Sequence, residues 1–134
     1  MTVFVDTSAI VALIWARDAN HAEAVDTWKG MLAGGFRLCT TDLVLAETVV
    51  VARSRAGYDL SVRAGERLLV PPFELVWADR PLFDEAWTLY RRYREHTLSL
   101  CDCVSFALMR RRRMKLAFAF DDDFERVGFI RARP

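Results

Sequence analysis

The chain alternates short apolar segments with longer helical ones, and this alternation limits the folds that it can adopt. The first segment, residues 2–5, is β-branched or aromatic throughout, as is typical of a strand buried on both faces. Similar runs recur after intervals long enough for one or two helices. Strands spaced in this way pair in parallel through right-handed crossovers. The sequence therefore predicts an α/β fold, a three-layer α/β/α sandwich with a mostly parallel sheet of four to five strands.

Glycine and proline pairs mark several ends of the predicted elements. Gly34-Gly35 and Pro71-Pro72 each end a helical segment, and Pro81 is typical of a first helical position. Strands are predicted at residues 2–5, 36–40, 73–77 and 115–120, with a short edge strand at 128–131. Helices are predicted after an N-cap at Thr7 or Ser8, at 20–32, after the cap Thr40-Thr41-Asp42, and at 61–69, 81–96 and 101–114.

The bulk composition favours one soluble domain. A chain of 134 residues fits a single domain, residues 1–134, and a hydrophobic fraction of 53% excludes a disordered chain. The longest apolar stretch, residues 9–16, is shorter than the roughly 18 residues that span a bilayer, and no basic segment precedes it. We therefore expect a cytoplasmic protein in which Cys39, Cys101 and Cys103 are reduced thiols.

Four acidic residues stand in apolar surroundings, where an ionised carboxylate without a partner costs several kcal/mol to bury. They are Asp6 at the end of the first strand, Glu47 and Asp102 within apolar helical segments, and Asp121 after the strand at 115–120. In open parallel sheets, functional side chains collect at the carboxyl ends of the strands. We therefore expect these four acids to share one crevice.

Three of these acids also have a plain structural role open to them. Asp6 and Asp102 can cap the helices that begin near them, and Glu47 can form an ion pair with Arg53. A capping carboxylate can still offer its second oxygen to a ligand. The capping and ligand roles of Asp6 are therefore compatible.

Asp121 opens a run of three aspartates, and a solvated turn accounts for one or two of them. Asp121 directly follows the predicted strand and is the preferred ligand. Asp123 is a second candidate metal ligand, because it can reach the same crevice from the turn. We expect Asp122 to face water.

Carboxylates that meet in one crevice repel one another unless cations are present. Ligation by oxygen alone favours Mg²⁺ or Mn²⁺ over zinc, and His21 and His96 lack the spacing of metal ligands. Such ions can lower the pKa of a water and stabilise the attacking and leaving oxygens at phosphorus. No P-loop, dinucleotide-binding glycine motif or Ser-His-Asp arrangement competes with this interpretation. The acids therefore predict metal-dependent hydrolysis of a phosphodiester.

Three stretches, taken together and in order, resemble the PIN-domain family, and most closely the VapC toxins of bacterial type II toxin–antitoxin systems. The likeness runs from the first strand to Phe124 or beyond and depends on the ordered set. The stretches are Val3-Phe4-Val5-Asp6-Thr7-Ser8-Ala9-Ile10, then Thr41-Asp42-Leu43-Val44-Leu45-Ala46-Glu47, then Leu98-Ser99-Leu100-Cys101-Asp102 with Phe118-Ala119-Phe120-Asp121-Asp122-Asp123-Phe124.

The resemblance implies a metal-dependent endoribonuclease. Its catalytic acids, which also hold Mg²⁺ or Mn²⁺, map onto Asp6, Glu47, Asp102 and Asp121, and Asp123 stands where relatives often carry a further polar residue. Thr7 or Ser8 matches the hydroxyl position that supports the first acid. The resemblance also implies an RNA substrate, a homodimer and a VapB-like antitoxin whose tail covers the site.

A run of arginines, Arg110 to Arg113, follows the segment that carries Asp102. The net charge of the chain is only +1, so local distribution of charge matters more than the total. An acidic site repels RNA unless basic groups offset it. We hypothesise that these arginines hold RNA beside the scissile bond; the alternative is a solvated helix end.

Other functions remain open on the sequence alone. One is a PIN-domain ribonuclease that acts in RNA processing without an antitoxin. Another is a catalytically silent PIN-like binding module, which the presence of all four acids disfavours. A phosphohydrolase or phospho-acceptor domain with an aspartate nucleophile would need a second acid two positions after Asp6, where the chain has Ser8, or a lysine near the last strand.

Overall fold

The sheet has five parallel strands, and the first strand of the chain lies at its centre. In this computed structural model, which describes residues 1–134, they are β1 (Thr2–Val5), β2 (Arg37–Thr41), β3 (Phe73–Val76), β4 (Leu116–Phe118) and β5 (Ile130–Arg131). The strand order is β3-β2-β1-β4-β5, and every pairing is parallel. All carboxyl ends therefore lie at one edge, which we call the carboxyl edge. The predicted α/β class and parallel sheet are confirmed.

Seven helices cover the two faces of the sheet. They are α1 (Thr7–Ile14), α2 (His21–Ala33), α3 (Asp42–Ala56), α4 (Tyr58–Leu68), α5 (Arg80–Arg92), α6 (Leu100–Arg111) and α7 (Asp123–Arg126). None of these helices combines the length and the apolar character that a membrane crossing requires.

Side chains of the central strand alternate between two cores. Phe4 belongs to a cluster built mainly with residues of α5 and α6, whereas Val3 and Val5 belong to a cluster with residues of α1 and α2. Both sets are fully buried, as the apolar composition of β1 requires. The predicted three-layer arrangement follows from these two cores.

The N-cap of α1 is Asp6, a role that the sequence left open to it, and not Thr7 or Ser8. Asp6 has an extended backbone, with φ −94° and ψ 162°, and its carboxylate accepts a hydrogen bond from the Ser8 backbone N–H. Thr7 is already helical. The helix therefore begins at Thr7, with only Asp6 between it and β1.

Several other bounds also differ from prediction. The α5 helix ends at Arg92, not at 96, because the chain must turn back to reach the cap of α6 at Ser99. The β4 strand ends at Phe118, not at 120: the backbone N–H of Phe120 donates to the Ser8 hydroxyl, 2.9 Å away, and not to a strand. The short α7 helix was not predicted.

Candidate metal-binding active site

The four predicted acids converge at the carboxyl edge from four separate segments of the chain. Asp6 follows β1, Glu47 lies in the second turn of α3, Asp102 lies in the first turn of α6, and Asp121 lies in the loop after β4. The charges of Asp121 and Asp102 both act on Asp6, and those of Asp121 and Glu47 act on Asp102. We call these four residues the acidic cluster.

Asp6 is the most deeply buried member of the cluster, with 2% of its surface exposed. One carboxylate oxygen, Oδ2, accepts two hydrogen bonds from Ser8, from the hydroxyl at 2.8 Å and from the backbone N–H at 3.2 Å. Burial, then the charges of Asp121 and Asp102, raise the pKa of Asp6 well above its usual range. The bonds from Ser8 oppose this shift only in part.

The other oxygen of Asp6, Oδ1, is buried and receives no hydrogen bond. The Asp6 carboxyl faces that of Asp121, with which it can bond only if one of the two holds a proton. Buried polar atoms are almost always satisfied in proteins, so an oxygen left in this state calls for an explanation. A cation between the two carboxylates would supply one.

Asp102 combines a structural role with a place in the cluster. Its backbone N–H donates to the Ser99 hydroxyl at 3.0 Å, and its Oδ2 accepts from the Ser99 backbone N–H at 3.1 Å, which forms a capping box at the start of α6. The capping box uses only one of the two carboxylate oxygens of Asp102. Burial is the main cause that raises the pKa of Asp102 to about 6, and the charges of Asp121 and Glu47 add to it.

Glu47 is half-buried and forms no ion pair. Arg53, its possible partner from the sequence, lies instead over the ring of Tyr58, 5.2 Å from its centroid. The neighbour of Glu47 is the thiol of Cys101, whose pKa is raised by burial and then by the charges of Glu47 and Asp6. The side chain of Glu47 is therefore available to the cluster.

The three consecutive aspartates differ in exposure and in partners, and Asp122 faces water as the sequence suggested. Asp122 is exposed and forms an ion pair with Arg126 at 2.9 Å. Asp121 is half-buried, and its Oδ1 accepts from the backbone N–H of Asp123 at 3.3 Å. Burial and the charge of Asp123 raise the pKa of Asp121. Asp123 therefore lies against Asp121 at the outer side of the cluster.

Two adjacent hydroxyls support the cluster in different ways. The Ser8 hydroxyl donates to Asp6 and accepts from the backbone N–H of Phe120, so it joins the loop after β4 to the start of α1. The Thr7 hydroxyl donates to the carbonyl of Val44 at 3.5 Å and accepts from Thr48 at 3.2 Å, which ties α1 to α3. Between the two hydroxyls that the sequence left open, Ser8 is the one that holds Asp6.

The donor set of the acidic cluster fits a hard divalent cation. Its members are carboxylates whose charges raise the pKa values of Asp6 and Asp102, and one buried oxygen lacks any donor. Carboxylate and water oxygens are the ligands that Mg²⁺ and Mn²⁺ prefer. In this arrangement no three His, Cys, Asp or Glu side chains lie close enough together to enclose an ion by themselves.

The arginine run lies far from the acidic cluster. Arg112 and Arg113 line a depression with Met1 and Thr2, at the opposite end of β1 from Asp6. Arg111 forms an ion pair with Glu85 at 2.9 Å, and Arg112 forms one with Glu74 at 2.8 Å. The structure therefore does not support the hypothesis that this run holds RNA beside the scissile bond.

Comparisons with known proteins agree with this architecture. Residues 3–130 match the PIN domain family. The chain is 34% identical over 132 residues to the 23S rRNA-specific endonuclease VapC20 of Mycobacterium tuberculosis, in strains CDC 1551 / Oshkosh and H37Rv, with 98% of both chains covered.

Solved structures show the same fold. The crystal structure of Mycobacterium tuberculosis VapC20, a sarcin–ricin loop cleaving toxin, superposes with a TM-score of 0.89 at 34% identity, covering 98% of this chain and 99% of that one. VapBC2 from Rickettsia felis, bound to a DNA fragment from its promoter, superposes with a TM-score of 0.70 over 98% of this chain and 97% of that one. Identity to it is 12%, so this likeness concerns the fold alone.

Proposed function

The chain belongs to the PIN-domain family, and we propose that it is the endoribonuclease toxin of a type II toxin–antitoxin pair. The observation that carries this proposal is the acidic cluster, in which a buried oxygen of Asp6 faces a second carboxylate without any donor. A full-length relative at 34% identity is an endonuclease specific for 23S rRNA. We place the reaction in the cytoplasm, where that kind of RNA is found.

We assign the binding of Mg²⁺ or Mn²⁺ to Asp6, Glu47, Asp102 and Asp121, with Asp123 as an outer ligand. When bound, such an ion supplies a water of lowered pKa and stabilises charge on the attacking and leaving oxygens of a phosphodiester. The mutual repulsion of the carboxylates supports this assignment, because an ion would relieve it. The same four acids are the catalytic residues of the proposal.

Two serines orient acids of the cluster, because each serine binds one carboxylate oxygen and leaves the other oxygen free. Ser8 fixes Oδ2 of Asp6, so Oδ1 is directed toward Asp121. Ser99 fixes Oδ2 of Asp102, which leaves Oδ1 for the cluster. Loss of such an outer-shell hydrogen bond typically lowers metal affinity or activity by roughly 10- to 100-fold.

The substitution Asp6→Asn tests the proposed function. We expect it to reduce cleavage of RNA in Mg²⁺ or Mn²⁺ by at least about 100-fold and to weaken binding of Mn²⁺ measured by calorimetry. The matched control is Asp122→Asn, since Asp122 is an aspartate of the same site region that pairs with Arg126 in solvent. Asp122→Asn should retain activity. Full cleavage by Asp6→Asn, or cleavage by the wild-type protein in excess chelator, would overturn the proposal.

We further propose 23S rRNA as the substrate, cut in its sarcin–ricin loop. This step follows from the 34% identity to VapC20 across nearly the whole of both chains. Incubation with purified ribosomes, followed by primer extension, should show one cleavage site in that loop. Cleavage of many sites, or of transfer RNA alone, would reject this substrate while leaving the ribonuclease activity intact.

A VapB-like antitoxin and a homodimer complete the proposal. Both follow from membership among VapC-like proteins, in which a toxin is silenced by its cognate antitoxin. Co-expression with the product of the adjacent reading frame should yield a stable complex that lacks ribonuclease activity, and sedimentation of the toxin should give twice the mass of one chain.

A further inference from the structure

The outer surface of α5 carries an aromatic pair that the proposed active site does not use. Trp87 and Tyr90 stack with ring centroids 5.6 Å apart and planes inclined by 25°. They are 48% and 42% exposed, although the opposite side of α5 is packed into the core through Leu82, Ala86 and Leu89. Two large aromatic rings held side by side at the surface are a ready platform for stacking.

Two arginines without strong acidic partners lie beside this pair. The depression beside the rings has a volume of about 500 Å³ and is lined by Arg91 and Arg94 as well as by Trp87 and Tyr90. Arg91 forms no ion pair, and Arg94 meets only the neighbouring Glu95, at 3.7 Å with both side chains more than 80% exposed. We call Trp87, Tyr90, Arg91 and Arg94 the α5 surface.

The α5 surface extends toward the acidic cluster. The same depression is also lined by His96 and Leu98, and Leu98 immediately precedes Ser99, the cap of α6. Asp102 lies in the first turn of that helix. A strand of nucleic acid whose phosphodiester lies at the acidic cluster would therefore reach this depression with its neighbouring nucleotides.

We propose that the α5 surface binds a single-stranded stretch of RNA beside the scissile phosphodiester. A base stacks on Trp87 or Tyr90, and Arg91 and Arg94 contact the backbone phosphates. Aromatic side chains interleaved with cations are the usual means of holding unpaired nucleotides, since every base has a face that stacks. This proposal rests on the proposed ribonuclease function and assigns to the α5 surface a role that the arginine run does not fill.

Charge argues against a second copy of the chain as the occupant. In a two-fold interface formed by this surface the same patch occurs on both partners, so the cations of one α5 surface would be brought close to those of the other. Phosphates supply the opposite charge, whereas another α5 surface supplies the same one.

The variants Trp87→Ala and Tyr90→Ala test the proposal in the full-length protein. We expect each to raise KM for a single-stranded RNA substrate by roughly 5- to 150-fold, the effect of losing one base–aromatic contact, with kcat unchanged. Trp87→Phe should restore much of the loss because it keeps a stacking face. Arg91→Gln should lower the slope of log KM against log salt by about 1.

The matched control is Tyr58→Ala, which removes another tyrosine that is 61% exposed but lies on α4. It should leave KM unchanged. If Trp87→Ala and Tyr90→Ala both cleaved RNA with the KM of the wild-type protein, the α5 proposal alone would be overturned. A change from dimer to monomer in Trp87→Ala by sedimentation would also overturn it, because this surface would then be an interface between copies. Absence of RNA cleavage by the wild-type protein would instead overturn the proposed function, and the α5 proposal with it.

Discussion

At the scale of single residues, Asp6 serves structure and chemistry with different atoms of one carboxylate. Its Oδ2 caps α1 through Ser8, and its Oδ1 lies buried toward Asp121 without a donor. A cap alone would be satisfied by serine or threonine and would not require a buried charge. The buried carboxylate of Asp6 therefore destabilises the metal-free fold, and we expect this effect to lower the measured free energy of unfolding.

The first prediction concerns the pH dependence of the metal-free protein. The pKa of Asp102 is about 6 in the folded state, whereas that of an unfolded aspartate is about 3.9. Between these values the folded protein holds a proton that the unfolded chain has lost, so its stability falls as pH rises. This loss in the free energy of unfolding is complete above about pH 6 and amounts to roughly 1–2 kcal/mol after allowance for solvent screening.

Urea unfolding in chelator at pH 5 and at pH 7.5 measures this effect. Asp102→Asn, which has no proton to lose, should show a smaller fall in the free energy of unfolding between the two pH values. Comparing the change in the free energy of unfolding between the two pH values cancels any constant cost of altering the capping box. An equal change in the wild-type protein and in the variant would contradict the assigned pKa.

At the scale of elements, the sequence predicted the order of strands and helices because each strand is a short apolar run. It also predicted the four acids of the cluster, since each is conspicuous among apolar neighbours. Details that depend on contacts between distant segments were missed. The end of β4 is set by the bond from Phe120 to the Ser8 hydroxyl, a residue 112 positions away. The aromatic pair on α5 was missed because periodicity does not reveal which face stays exposed.

The second prediction concerns Ser8, which joins two elements. Ser8→Ala removes both its hydroxyl bond to Asp6 and its bond from the Phe120 backbone N–H, while leaving the acids in place. We expect activity or Mn²⁺ affinity to fall by roughly 10- to 100-fold. The control is Ser54→Ala, an exposed serine of α3, which should behave as wild type. Rescue by Ser8→Thr would identify the hydroxyl as the group responsible; unchanged activity in Ser8→Ala would remove Ser8 from the site.

At the scale of the whole molecule, the acidic cluster brings together four separate segments of the chain at the carboxyl edge. Its members come from the loop after β1, from α3, from α6 and from the loop after β4. A ligand that binds only the folded state stabilises the whole chain by mass action. Since the protein has a net charge of only +1, the repulsion is local to the cluster and does not reflect an acidic molecule.

The third prediction is a thermal shift produced by the ion. Mn²⁺ or Mg²⁺ at roughly 100 times its Kd should stabilise the folded protein by about 2.7 kcal/mol and raise Tm by several degrees. The shift should be larger at pH 8 than at pH 5, because protonated carboxyls bind cations poorly. Asp6→Asn should abolish most of it. An undiminished shift in Asp6→Asn would place the ion elsewhere in the molecule.

The wide spacing of the four acids along the chain has a consequence for biosynthesis. The central position of β1 means that its neighbour β4 and the loop bearing Asp121 must arrive before the crevice closes. A nascent chain that ends before Asp121 does not contain all four acids of the cluster. A ribosome that translates this protein is therefore not exposed to a working nuclease until residue 121 has emerged and β4 has inserted beside β1.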